Sequence, residues 1–147
     1  MFKHILIPTD GSDLSKKAVK KGIEFAKKIK ARVTAVHVVP EFRVVADESF
    51  VSLSPSAKKR FEEDSLRHAE TMLSSVVLQA KAKGVRCAAV AEANDLPYQQ
   101  IIATAKSKKC DLIMMASHGR RGIASVLLGS ETAKVLTHST IPVLVVR

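Results

Sequence analysis

Apolar and polar positions along this chain change period at regular intervals, and each change marks an element. HILIP at 4–8 is a short apolar run ended by proline, and Thr9, Asp10, Gly11 and Ser12 after it are turn and helix-cap residues. This predicts a strand, a turn and a helix. In KKAVKKGIEFAKKIK, Leu14, Ala18, Gly22, Ala26 and Ile29 share one helical stripe while the lysines largely fall elsewhere. RVTAVHVV at 32–39 is rich in β-branched residues and ends at Pro40, which predicts a second strand. Residues 41–54 show no clear period and read as a loop. Pro55 opens a long helical pattern through Phe61, Ala69, Met72, Leu73, Val76 and Ala80, and Gly84 stops it. A third strand is expected over 85–91. Asn94 and Asp95 supply a cap, and Pro97 a first turn, for a helix carrying Ile101, Ile102 and Ala105. DLIMMA at 111–116 is a continuous apolar run that needs burial on both faces. Ser130 caps a last helix to about His138, and IPVLVV at 141–146 closes the pattern as a fifth strand.

Strands alternating with helices at this spacing imply a parallel sheet with right-handed crossovers and helices on both faces. The fold class is α/β, with residues 1–147 expected as one domain. In open sheets of this type, ligands settle beyond the carboxyl ends of the strands where the strand order reverses. With the first strand central, its exit loop, Pro8 to Ser12, would lie beside the exit loop of the fourth, Ala116 to Gly122.

Composition changes this picture little. The apolar fraction is 46% and the charged fraction 26%, ordinary for a globular chain, and no apolar run approaches the roughly 20 residues of a membrane span. The N-terminus lacks a basic region followed by a long apolar stretch, so a cytoplasmic location without membrane contact is expected. Cys87 and Cys110 form no CxxC pair and read as small apolar residues. The net charge of +10 attracts anionic partners. With aromatic residues at only 4% there are few rings to stack bases, so the lysines of the first helix read as a solvated face and nucleic acid is not the expected partner.

The chemistry concentrates in the two loops. A phosphate needs several backbone N–H donors converging on it, and gains further from a helix N-terminus. Gly119 allows close backbone approach, Arg120 and Arg121 add charge, and Gly129 with Ser130 offers free amides and a hydroxyl. Glycine turns with serine caps are also common as plain structure, so spacing alone leaves both readings open. Asp10 is a ribose or metal ligand, or a helix cap. His118 has no accompanying nucleophile and base, and no HExxH or DxD-type metal cluster is present. The other histidines share no ligand spacing.

HILIPTDGS, AVHVVP, CDLIMMASHGRRG and LLGSETAKVLTHSTIPVLVVR together, in this order, resemble the universal stress protein family over essentially the whole chain. The nucleotide-binding branch of that family carries Gly, two residues, Gly, nine residues, then Gly with Ser or Thr. Here Ala116, Ser117, His118, Gly119, nine residues, Gly129 and Ser130 fill that frame.

The resemblance implies a Rossmann-like, doubly wound five-stranded parallel sheet of order 3-2-1-4-5, in a homodimer paired through strand 141–146. It implies ATP or a related adenine nucleotide across the two loops, with Mg²⁺ often accompanying the phosphates. Pro8, Thr9 and Asp10 would hold the adenosine end, and Val38 would pack on adenine. Ala116, Ser117, His118, Gly119 and Arg120 would follow the ribose and phosphates, and Gly129, Ser130, Glu131 and Thr132 the phosphate tail. The implied role is stress response by binding and signalling, not catalysis, with at most slow hydrolysis. The departure is Ala116 in place of the first motif glycine. At negative φ the alanine costs nothing, whereas at positive φ it costs on the order of 1 kcal/mol and shifts the loop. A same-fold interaction module that holds no nucleotide is the alternative, and a basic nucleic-acid binder a more distant one.

Overall fold

The computed structural model describes residues 1–41, 54–119 and 128–147. In chain order the elements are β1 (His4–Pro8), α1 (Asp13–Ile29), β2 (Arg32–Val39), α2 (Pro55–Ala82), β3 (Cys87–Ala93), α3 (Pro97–Ser107), β4 (Leu112–Ala116), α4 (Ser130–His138) and β5 (Val143–Val146). The five strands form one parallel sheet in the order β3-β2-β1-β4-β5.

Because side chains alternate along a strand, each strand feeds both faces of the sheet. Ile5 and Ile7 of β1, Val33 and Ala35 of β2, and Leu112 and Met114 of β4 pack under α1 and α2. Leu6, Val36, Ile113 and Met115 point the other way, against α3 and α4. β4 is therefore apolar throughout, β1 is apolar beyond His4, and the expected continuous burial of LIMMA is found, every residue of it being buried. β3 and β5 form the edges and are less buried, with Ala88, Ala89 and Ala93 of β3 and Leu144 of β5 exposed.

Several boundaries shift from expectation. β3 begins at Cys87, not 85, because Val85 turns into the core and its N–H donates to the Ala80 carbonyl, closing the end of α2. The strand then runs on to Ala93, held by its register with Val39. β5 begins at Val143. Pro142 has no N–H to give, although its carbonyl accepts from Ile113 N. Ser12, not Asp10, is the N-cap of α1, its hydroxyl accepting from Ser15 N at 3.3 Å. Leu96 occupies the cap position of α3 with no side-chain bond, while Asn94 Oδ1 accepts from Leu96 N just before it. Ser130 lies inside α4, whose N-cap is Gly129.

Both cysteines are free thiols. Burial, with Asp111 adding, pushes Cys110 up to about 11, and burial raises Cys87 as well.

His4 is buried at the start of β1, with Nε2 2.8 Å from Thr34 Oγ1. Burial, and then the charge of Arg32, holds its imidazole below the ordinary histidine value. The folded state therefore takes up this proton less readily than the unfolded chain. The stability His4 contributes is whole above the unfolded value near ~6.5 and is lost as pH falls through the lower folded value. Denaturant midpoints should thus drop as pH falls below about 6.5, and His4→Gln should flatten part of that slope. An unchanged slope in the variant would remove His4 as its source.

Candidate functional site

Loops at the carboxyl ends of β1 and β4 lie side by side because their strands are hydrogen-bonded neighbours at the centre of the sheet. Each loop is held by bonds that leave it little freedom. Thr9 N donates to Val36 O, and His37 Nδ1 donates to Thr9 O at 2.7 Å, tying the first loop to β2 from both sides of one residue. Ser15, buried on the first turn of α1, places its hydroxyl 2.5 Å from Thr9 Oγ1 and accepts from Asp10 N. Asp10 Oδ1 accepts from Ser12 N at 3.0 Å, so the carboxylate folds back over its own turn. Ser15 and His37 are positioning residues that sequence reasoning did not assign to the site. Neither carries a motif, and each acts through a partner remote in the chain or turned into the core.

The second loop leaves β4 at Ala116. Ser117 N donates to Val146 O, and Ser117 Oγ lies 2.9 Å from His118 Nδ1. The Nε2 atom of His118 is buried with no hydrogen-bond partner among the described residues. Gly119 faces the first loop so closely that a side-chain carbon there would collide with Asp10 Oδ2. The chain returns at Gly129, whose N–H donates to Ser117 O at 2.7 Å. A methyl on Gly129 would lie 3.1 Å from that oxygen and 3.2 Å from His118 Cα. Both glycines thus sit at close approaches, the first between loops and the second within one. Thr132 Oγ1 donates to Ala116 O at 2.9 Å, fixing the first turn of α4 against the end of β4.

Ala116 is the last residue of β4, paired with Val146, buried, and outside the positive-φ residues of the chain. The alanine therefore carries no backbone cost at this position. Pro8, Thr9, Asp10, Ala116, Ser117, His118, Gly119, Gly129, Ser130, Glu131 and Thr132 all fall on these two loops or on the start of α4. Val38 stands one strand away on β2, half-buried against the α3–α4 side. Arg120 and Arg121 lie outside the described residues. Glu131 has its carboxylate turned away from the loops, accepting from Tyr98 N at 2.9 Å at the start of α3 and pairing with Lys134. Among the described residues no side chain caps α4, and its first amides have no such partner there. Among the described residues no group of three or more His, Cys, Asp or Glu could hold a metal ion, and no helix is long and apolar enough to cross a membrane. A cavity of about 240 Å³ at the exits of β2 and β3, lined by Val39, Pro40, Leu66 and Ala93, lies beside this arrangement and not within it.

A family model described as the universal stress protein family matches residues 1–147. The chain is 35% identical over 150 residues to universal stress protein MJ0531 of Methanocaldococcus jannaschii, covering all of this chain and 83% of that one. It is 33% identical to universal stress protein YxiE of Bacillus subtilis, with full coverage of both. Among solved structures, MJ0577 superposes with a TM-score of 0.84 at 27% identity over 99% of this chain and 96% of that one. Structures that share the fold include a universal stress protein in complex with cAMP, at TM-score 0.70 and 23% identity over 99% of this chain and 97% of that one. One from Archaeoglobus fulgidus in complex with dAMP has a TM-score of 0.63 at 16% identity, over 100% and 98%. Sheet order, loop placement and full-length similarity agree, and the chain belongs to the universal stress protein family.

Proposed function

We propose that this protein binds an adenine nucleotide, ATP or a close relative, at the carboxyl ends of β1 and β4, and works in stress response by binding and signalling, not by catalysis. One observation carries the reading. Gly119 stands where a side chain would strike the neighbouring loop, Gly129 stands where one would crowd its own loop, and α4 starts directly after Gly129 with no side-chain cap among the described residues. Free amides at a helix start, reached by a backbone without side chains, suit a phosphate. The nucleotide complexes of structures that share this fold support the same assignment.

In this reading Pro8, Thr9 and Asp10 meet the adenosine, Val38 packs on the base, and Ala116 to Arg120 follow the ribose and phosphates. Gly129, Ser130 and Thr132 receive the phosphate tail through α4. The carboxylate of Glu131 is engaged at α3, so this residue contributes its backbone. Mg²⁺, when it accompanies the nucleotide, would be held chiefly by phosphate oxygens and water, because the described residues provide no cage for it. The free thiols suit a reducing cytoplasm. β5, hydrogen-bonded on one side by β4 and exposing Leu144, offers an edge for pairing with a second copy.

Calorimetry on nucleotide-stripped protein tests the reading. ATP should bind with a dissociation constant between about 1 μM and about 1 mM, or roughly −8 to −4 kcal/mol. Ala116→Gly should leave the affinity within about threefold while lowering stability by about 0.5–1 kcal/mol, because the alanine already has a conformation any residue adopts. No heat with ATP in either protein would favour the interaction module that holds no nucleotide.

A further inference from the structure

The sequence shows lysines concentrated in α1. It does not show where the fold sends the remaining cations. In a parallel sheet every helix ends, and every strand begins, at the edge opposite the loops described above. Backbone bonds place that edge residue by residue: Val33 N donates to Arg86 O, Arg32 N to Lys3 O, and Lys3 N to Asp111 Oδ2. Arg86, Arg32 and Lys3 therefore form a row across β3, β2 and β1, and Lys108 and Lys109 continue it at the approach to β4. All five are exposed.

Flanking this row, Lys27, Lys28 and Lys30 end α1, Lys81 and Lys83 end α2, and Lys106 ends α3. Nearly half of the 24 Lys and Arg of the chain thus gather on one edge. The same segments hold a single acid, Asp111, whose carboxylate accepts from Lys3 N and His4 N. Among the described residues only Lys83 of this group has an ion pair, to Glu24 at 2.8 Å.

Helix C-termini favour cations, which accounts for Lys27, Lys28, Lys81 and Lys106. It does not account for Lys3, Arg32 and Arg86 at strand starts. Nor does it account for Lys30 and Lys109, which carry φ of 56° and 55°. That left-handed conformation is normally given to glycine, and a side chain there costs on the order of 1 kcal/mol. The chain places a positive charge at both of these turns, against backbone preference.

We propose that this edge is an interaction surface for the phosphate backbone of double-stranded nucleic acid, bound without regard to sequence. The scarcity of aromatic residues argues against single strands, which are held by base stacking, and leaves backbone contact to a duplex untouched. With strands about 4.8 Å apart, the row from β3 to β4 spans about 15 Å. Over such a length a duplex presents roughly nine phosphate charges. The surface lies at the opposite pole from the nucleotide site, and the proposal stands or falls independently of that site.

The test is fluorescence anisotropy of the full chain with a labelled duplex of about 30 base pairs. Affinity should fall about a hundredfold or more between about 50 and about 200 mM salt, as expected when several phosphates are neutralised. A variant with Lys27, Lys28, Lys108 and Lys109 all changed to Glu should bind at least tenfold more weakly. A variant with Lys16, Lys17, Lys58 and Lys59 changed to Glu has the same net charge and should stay within about threefold of wild type. Gln substitutions at the four edge positions provide the reading if charge reversal disturbs folding. Equal losses in the edge and control variants, no duplex binding by wild type, or tighter binding to phosphatidylserine vesicles than to duplex would each overturn the proposal.

Discussion

Gly119→Val, alone or combined with Ser130→Ala, should weaken ATP binding at least tenfold, about 1.4 kcal/mol or more, with little change in global stability. The stability should hold because Gly119 is exposed on a loop and takes no part in the core. Binding should suffer because the new side chain would run into Asp10 Oδ2. Asp10 cannot simply swing aside. Its other oxygen accepts from Ser12 N at the cap of α1, and its own N–H donates to buried Ser15. The variant must separate the two loops, moving the adenosine side of the proposed site away from the phosphate side. Ser130→Ala removes a hydroxyl at the first position of α4 and should add a smaller loss. Calorimetric titration with circular dichroism alongside decides the matter: a correctly folded variant with unchanged ATP affinity would refute the assignment of these loops to the nucleotide.

Leu6→Ala should give the largest loss of stability, about 3–5 kcal/mol by denaturant unfolding. Leu6 sits at the middle of the central strand with no exposed surface. It is opposite Thr34 on one side and Ile113 on the other, and belongs to the core that includes Val36, Ile101, Met115 and Val135. A cavity there is bordered by three strands and two helices and has little room to collapse. Because a domain of this size is stable by only about 5–15 kcal/mol, the change consumes a large part of the total. Leu6→Met keeps the volume and should cost under about 1.5 kcal/mol. A loss below that figure for the alanine variant would show that the α3–α4 core is not packed as described.

The strands and helices were legible because the apolar periods are strong: HILIP and DLIMMA are filled on both faces, and the α1 stripe is clean. Helix starts were harder to place. Ser12, Asp10, Asn94 and Ser130 all have capping chemistry, and which one caps depends on backbone angles that composition does not encode. The two loops could be singled out from topology, because the strand order reverses between β1 and β4 while the strands stay parallel. The roles of Ser15 and His37 were hidden because each depends on a contact with Thr9 made only after folding. Glu131 illustrates the same limit. Its position in the motif frame suggested the phosphates, whereas its side chain found the amide of Tyr98. The doubt over Ala116 turned on one dihedral angle, which the end of β4 supplies.

The bond from Glu131 to Tyr98 N has a dynamic consequence. α3 has no cap of its own, and the carboxylate that satisfies its first turn belongs to α4. Melting of α4 therefore strips α3 of its cap, so the two helices should open as one cooperative unit. α1, capped by its own Ser12, is free of that dependence. Because α4 also begins at the proposed phosphate end of the site, a ligand seated there would slow amide exchange in α3, a helix that need not touch it.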